Sequence, residues 1–121
     1  MPRVLIVDDS PTIRRMVKAS LQPLPQPLEF TEAASGLEAI EILALSAADL
    51  IVLDLNMPDM HGLDVLGFVR AHQKYRTVPI IVLTTRGDDA SRGAALQAGA
   101  TTYLTKPFVP QTLAAEVGRL L

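Results

Sequence analysis

The sequence predicts an α/β domain of the doubly wound kind, with a parallel sheet covered by helices on both faces. Three observations predict it. The runs Val4 to Val7, Leu50 to Leu53 and Ile80 to Leu83 are almost unbroken apolar stretches rich in β-branched residues, as strands buried on both faces are. Stretches of helical period fill the gaps between them. The two kinds alternate, β-α five times over, and that alternation implies parallel strands joined by right-handed crossovers.

Each element has its own signal. After the first strand, Ser10 is placed to cap a helix with Pro11 at its first position. Ile13, Met16, Val17 and Leu21 then fall on one face, and Pro23, Pro25 and Pro27 stop the helix and stiffen the connection. Leu28 to Ala33 is a second, less apolar strand. Ser35 and Gly36 open a second helix carrying Leu37, Ile40 and Leu43, and Gly62 opens a third carrying Leu63, Leu66 and Val69. A fourth helix is expected from about Asp88 to Ala98, stopped by Gly99. Its expected inward residues are Ala90, Ala94 and Ala98, which bury little area and would hold it weakly; Leu96 falls off that face and is expected to be exposed. Thr101 to Leu104 is a weaker fifth strand, and Pro110 to Leu121 a fifth helix carrying Leu113, Val117 and Leu120.

Composition narrows the functional classes. A chain of 121 residues with 49% hydrophobic residues suits one domain with one core, expected to span residues 1–121 with no room for an attached output domain. A net charge of −2, with 20% charged residues, argues against a nonspecific nucleic-acid binder. Absence of cysteine excludes disulfides, thiol catalysis and cysteine-based metal sites. The apolar run near the N-terminus ends at once in two aspartates, unlike a signal peptide, and no run approaches the roughly 20 residues of a membrane span. The expected location is the cytoplasm.

The polar residues that break the pattern gather on one rim. Asp8 and Asp9 follow the first strand, Asp54 the third, Thr84 the fourth, and Lys106 lies just after the fifth. Carboxyl ends of parallel strands share an edge, and such edges bind ligands where strand order reverses. Three clustered carboxylates repel unless a cation joins them, and oxygen ligands without sulfur favour a hard ion such as Mg2+. Phosphoryl transfer needs its oxygens neutralised and an in-line nucleophile. Lys106 and the metal can supply charge, Thr84 a hydroxyl and Asp54 a nucleophilic oxygen, since aspartyl phosphates are a known covalent intermediate. Taken singly, each residue has a plainer reading: a turn for Asp8-Asp9, a strand end for Thr84, a solvated surface lysine for Lys106.

The ordered set of motifs resembles the receiver domain of two-component response regulators, and within it the CheY-like single-domain regulators of chemotaxis. The matching pieces are Val4-Leu5-Ile6-Val7-Asp8-Asp9-Ser10, Leu53-Asp54-Leu55-Asn56-Met57-Pro58, Gly62-Leu63, Ile81-Val82-Leu83-Thr84 and Ala98-Gly99-Ala100 leading to Tyr103-Leu104-Thr105-Lys106-Pro107-Phe108. The resemblance implies a flavodoxin-like sheet in the order 2-1-3-4-5, an order for which CheY is itself a standard example. It also implies that Asp54 accepts the phosphoryl group, that Asp9 and Asp54 ligate Mg2+ with Asp8 acting partly through water, and that Asn56 offers its backbone carbonyl to the metal. Thr84 and Lys106 would contact the phosphoryl oxygens, and the Lys106-Pro107 bond would be cis. Tyr103 occupies the switch-aromatic position: its ring would turn inward as Thr84 moves toward the phosphate. Leu96 and Tyr103 would form a partner surface on the face of the fourth helix, fifth strand and fifth helix. A histidine kinase or phosphotransfer protein would donate the phosphoryl group and a downstream protein would read it, with autocatalytic phosphoryl acceptance and loss rather than enzymatic turnover.

Some residues depart from the pattern. Thr85 stands where a smaller residue is usual and could narrow access to Asp54. Asn56 and Arg86 are placed to tune phosphoryl lifetime, while His61, His72, Arg14 and Arg15 read as solvated surface residues, Arg14 and Arg15 with a lesser reading as a kinase contact. Three other functions compete: an unphosphorylated scaffold, a phosphohydrolase using an aspartyl nucleophile, and a flavin-binding protein. An intact acidic set with Lys106 disfavours the first. Asn56, where a hydrolase of that type has a second aspartate, and the lack of a substrate cap disfavour the second. Acidic residues after the first strand, in place of a phosphate-binding loop, disfavour the third.

Overall fold

The computed structural model describes residues 1–121. Five parallel strands, β1 (Arg3–Val7), β2 (Glu29–Ala33), β3 (Leu50–Leu53), β4 (Ile80–Thr84) and β5 (Thr102–Thr105), lie in the order β2-β1-β3-β4-β5. Between and after them run α1 (Pro11–Leu21), α2 (Gly36–Leu45), α3 (Gly62–Ala71), α4 (Asp89–Ala98) and α5 (Pro110–Leu120), with a short 3-10 turn at Gln73–Tyr75. The fifth strand thus starts one residue later than expected and carries one residue further, toward Lys106.

Alternate residues of the strands feed two separate cores. Leu5, Val7, Ile51, Leu53, Ile80 and Val82 face α2, α3 and α4, where Ala39, Leu43, Val65, Leu66, Val69 and Ala95 meet them. Val4, Ile6, Leu50, Val52, Ile81 and Leu83 face Val17 and Leu21 of α1 and Leu113 and Val117 of α5. Double-sided burial is why these strands read as continuous apolar runs. Ser10, Ser35 and Asp88 cap α1, α2 and α4, each accepting from a backbone N–H in the first turn.

Three expected inward faces are corrected. Met16 is 44% exposed, and Ser20 is buried in its stead, its hydroxyl donating to the Met16 carbonyl. Leu37 points outward from the first turn of α2, leaving Gly36, Ala39 and Leu43 as the buried residues. On α4, Ala90 and Ala94 are exposed, Ala98 is half-buried and Ala95 is the buried residue. Leu96 is exposed, as expected.

That leaves α4 held mainly at one end. Gly99 ends it at φ 117, a left-handed conformation suited to glycine. Arg70 of α3 donates from Nε and Nη2 to the Gly99 carbonyl at 3.0 and 2.8 Å, and from Nη1 to the Tyr75 carbonyl at 3.0 Å. The opposite end of α4, toward the rim, buries no side chain of its own.

Candidate functional site

Backbone hydrogen bonds beyond the strand ends fix the rim residues. Asp8 donates its N–H to the Ala33 carbonyl at 3.1 Å, Asp54 to Val7 at 2.9 Å and Lys106 to Thr84 at 2.7 Å. The ladder therefore carries three site residues one step past the regular sheet, onto the same edge. The Lys106-Pro107 peptide is cis, as expected.

Asp8, Asp9 and Asp54 come together, with one carboxylate oxygen of each lying within 4.8 Å of the others. Asp8 and Asp54 are buried and Asp9 is exposed. Lys106 Nζ lies 2.7 Å from Asp8 Oδ2 and 3.6 Å from Asp54 Oδ1. Burial pushes the Asp54 carboxyl above its ordinary range, and the charges of Asp8 and Asp9 push the same way, against the Asn56 backbone N–H and the Lys106 ammonium. Three carboxylates thus face one ammonium. A hard divalent cation fits this oxygen-rich, net-negative cluster, with Asp8, Asp9 and Asp54 as its protein donors.

Thr84 is fully buried, and its Oγ1 accepts from Asn56 Nδ2 and from the Arg86 backbone N–H, both at 3.3 Å. Asn56 also donates its backbone N–H to Asp54 Oδ1 at 3.2 Å, so it ties the loop after β3 to both Asp54 and Thr84. Thr85 and Arg86 are exposed at the rim, and Arg86 pairs with Asp88 at 3.3 Å.

Tyr103 is 5% exposed, with its ring turned inward and its hydroxyl donating to the Arg86 carbonyl. This corrects the expected surface: of Leu96 and Tyr103, only Leu96, 40% exposed, reaches solvent in this conformation. The ring is part of the core under α2, α3 and α4 and cannot lie on the outside at the same time.

Sequence reasoning missed the parts that three residues play in holding the site. Arg14 is not a solvated residue: it pairs with Glu32 at 2.9 Å and donates from Nη1 to the Asp8 carbonyl. A long cation in the first turn of a helix that starts at the rim, opposite an acid near the end of β2, was the available signal. Asp59 accepts from the backbone N–H groups of Gly36 and Leu37 at 3.1 and 3.0 Å, pinning the loop after β3 to the start of α2. Gly62 is pressed on that loop, where a Cβ would lie 2.5 Å from Leu55 Cα and 2.8 Å from the Asp54 carbonyl oxygen.

A rim with this set of residues can be compared with known proteins. The family model for the response regulator receiver domain matches residues 4–118. The chain belongs to that family. This receiver domain is 43% identical to the chemotaxis protein CheY1 of Helicobacter pylori over 112 residues, 92% of this chain and 90% of that one. It is similar in structure to the chemotaxis response regulator CheY4 of Vibrio cholerae, with a TM-score of 0.90 and 39% identity, covering 100% of this chain and 99% of that one. It also resembles the response regulator Rcp1 in its Mn2+-bound form, with a TM-score of 0.84 and 27% identity, covering 99% of this chain and 91% of that one. As a receiver domain it is a phosphorylation-dependent signalling module, and its flavodoxin-like fold is that of these relatives. No helix is long and apolar enough to cross a membrane.

Proposed function

We propose that residues 1–121 act as one receiver domain in which Asp54 accepts a phosphoryl group from a histidine kinase or phosphotransfer protein. The observation that carries this is the cluster of Asp8, Asp9 and Asp54 with Lys106 reaching both Asp8 and Asp54. Asp54 supplies the attacking oxygen. Lys106 and the Thr84 hydroxyl stabilise charge on the transferred oxygens. Asp8, Asp9 and Asp54, with the Asn56 carbonyl, would hold Mg2+, which when bound supplies positive charge to the phosphoryl oxygens. Mn2+ in the relative Rcp1 supports a divalent ion of this kind. Phosphoryl acceptance and loss occur once per signal, so the chain is a switch and not a turnover enzyme.

The output runs through Thr84 and Tyr103 to the face formed by α4, β5 and α5, where Leu96 is exposed for a downstream protein. An inward Tyr103 bonded to Arg86, two residues past Thr84, supports that route. The chemotaxis proteins among its relatives favour a chemotactic role in the cytoplasm.

Incubation with Mg2+ and acetyl phosphate, read by intact mass, tests the reading. The expected result is one phosphoryl adduct, absent in Asp54→Asn and in EDTA. No adduct with acetyl phosphate or a cognate kinase points to an unphosphorylated scaffold instead. Leu96→Asp should keep the adduct and lose the downstream partner.

A further inference from the structure

A cavity of about 250 Å3 lies beside the acidic cluster, between the start of α3 and the first turns of α4. Leu55, Leu63, Ala90 and Ala94 give it an apolar lining, and Asn56, His61, Arg86, Asp88 and Ser91 stand on its polar side. Asn56 and Arg86 are also the partners of the Thr84 hydroxyl. The cavity and the phosphoryl site therefore share a wall. Ala90 and Ala94 are the two residues of α4 that were expected in the core and are exposed, and their small side chains keep this space open.

We propose that this cavity is an acyl-chain subsite, so that among small acyl phosphates the domain takes the phosphoryl group faster from propionyl and butyryl phosphate than from acetyl phosphate. The proposal rests on Asp54 being the phosphoryl acceptor. In the step, an Asp54 carboxylate oxygen forms a bond to phosphorus while the bond from phosphorus to the acyl oxygen breaks. That oxygen leaves with the electron pair as a carboxylate, and no proton is exchanged. In-line displacement puts the leaving carboxylate on the side of phosphorus away from Asp54. At the cavity's edge Asn56 offers an amide and Arg86 a guanidinium whose charge is partly balanced by Asp88, and the alkyl chain extends over Leu55, Leu63, Ala90 and Ala94. The volume lies below the roughly 300–1,000 Å3 of pockets for drug-sized ligands, which suits a few methylenes and no nucleotide.

The test is the rate of adduct formation by intact mass with acetyl, propionyl and butyryl phosphate at fixed Mg2+. It uses the wild type, Ala90→Leu and Ala94→Leu. The wild-type rate per mole of donor should rise about fourfold for each added methylene, equivalent to about 0.8 kcal/mol. The butyryl-to-acetyl ratio should fall to about one in the two variants. A ratio within one protein is insensitive to how much of it is folded. A wild-type ratio at or below one, or a raised ratio kept in both variants, overturns the subsite while leaving Asp54 as acceptor. In that case the cavity is space against a protein donor. No adduct even with acetyl phosphate overturns the receiver reading, and the subsite with it.

Discussion

Lys106 reaches from the end of β5 to Asp8 at the end of β1, its Nζ 2.7 Å from Asp8 Oδ2. The side chains are 13% and 4% exposed, so this ion pair is poorly screened by water. It is also the contact that partly balances the three carboxylates. Lys106→Met keeps the stem and removes the charge. In EDTA at neutral pH it should cost about 2 kcal/mol, short of the ~3–5 kcal/mol for breaking a fully buried pair. Urea unfolding measures this, and unchanged stability would show that solvent already screens the cluster.

Replacing Asp54 should act in the opposite direction on stability. Its carboxylate is 4% exposed and lies within 4.8 Å of like charges on Asp8 and Asp9. Asp54→Asn keeps the shape and removes one charge, so the metal-free protein should gain about 1 kcal/mol while losing all phosphoryl adduct. Millimolar Mg2+ should raise the melting temperature of the wild type more than that of the variant, because a ligand stabilises only the state that binds it. Equal shifts in both would remove Asp54 from the metal site.

How much of this was legible in the sequence depended on which neighbours set each residue's environment. Val4 to Val7 and Leu50 to Leu53 announce themselves because helices cover both faces of the sheet, and strand ends placed Asp8, Asp54, Thr84 and Lys106 on one rim without further information. The buried side of α4 was not legible. Ala90, Ala94, Ala95 and Ala98 are chemically identical, so periodicity had nothing to discriminate, and only docking against the inner core selects Ala95. Ser20 in place of Met16 was hidden because its hydroxyl is satisfied by the helix's own backbone. Arg14 looked solvated because its partners, Glu32 and the Asp8 carbonyl, belong to other elements.

Glu32 gives a pH signature for its joint pairing with Lys18 and Arg14. Lys18 and Arg14 hold the Glu32 carboxyl below its ordinary value of 4.5, with the hydrogen bond from Lys18 the larger cause. A carboxyl depressed in the folded state adds stability above its unfolded pKa, and that stability is lost as pH falls through the folded value. Glu32 is 37% exposed, so the gain after solvent screening is about 0.5 kcal/mol. The wild type should exceed Glu32→Gln by that amount at neutral pH. The gap should begin to close below pH 4.5 and vanish in stronger acid. Urea midpoints across this range check it, and a gap that widens in acid contradicts the assignment.

Two glycines on helices should respond to alanine with opposite signs. At Gly62 an added Cβ meets backbone, 2.5 Å from Leu55 Cα and 2.8 Å from the Asp54 carbonyl oxygen, so the loop bearing Asn56 must shift. Overpacking of this kind costs roughly 1–3 kcal/mol, and here it also disturbs the two bonds by which Asn56 joins Asp54 to Thr84. At Gly93, within α4, nothing lies within 4 Å of the new methyl. Alanine there should stabilise by about 0.5–1 kcal/mol through helix propensity alone. Gly62→Ala should therefore lower both the urea midpoint and the rate of adduct formation with acetyl phosphate, and Gly93→Ala should raise the midpoint. If Gly62→Ala unfolds at a lower midpoint yet accepts phosphoryl groups at the wild-type rate, the loop's position does not govern the chemistry. The site would then depend on the strand ends alone.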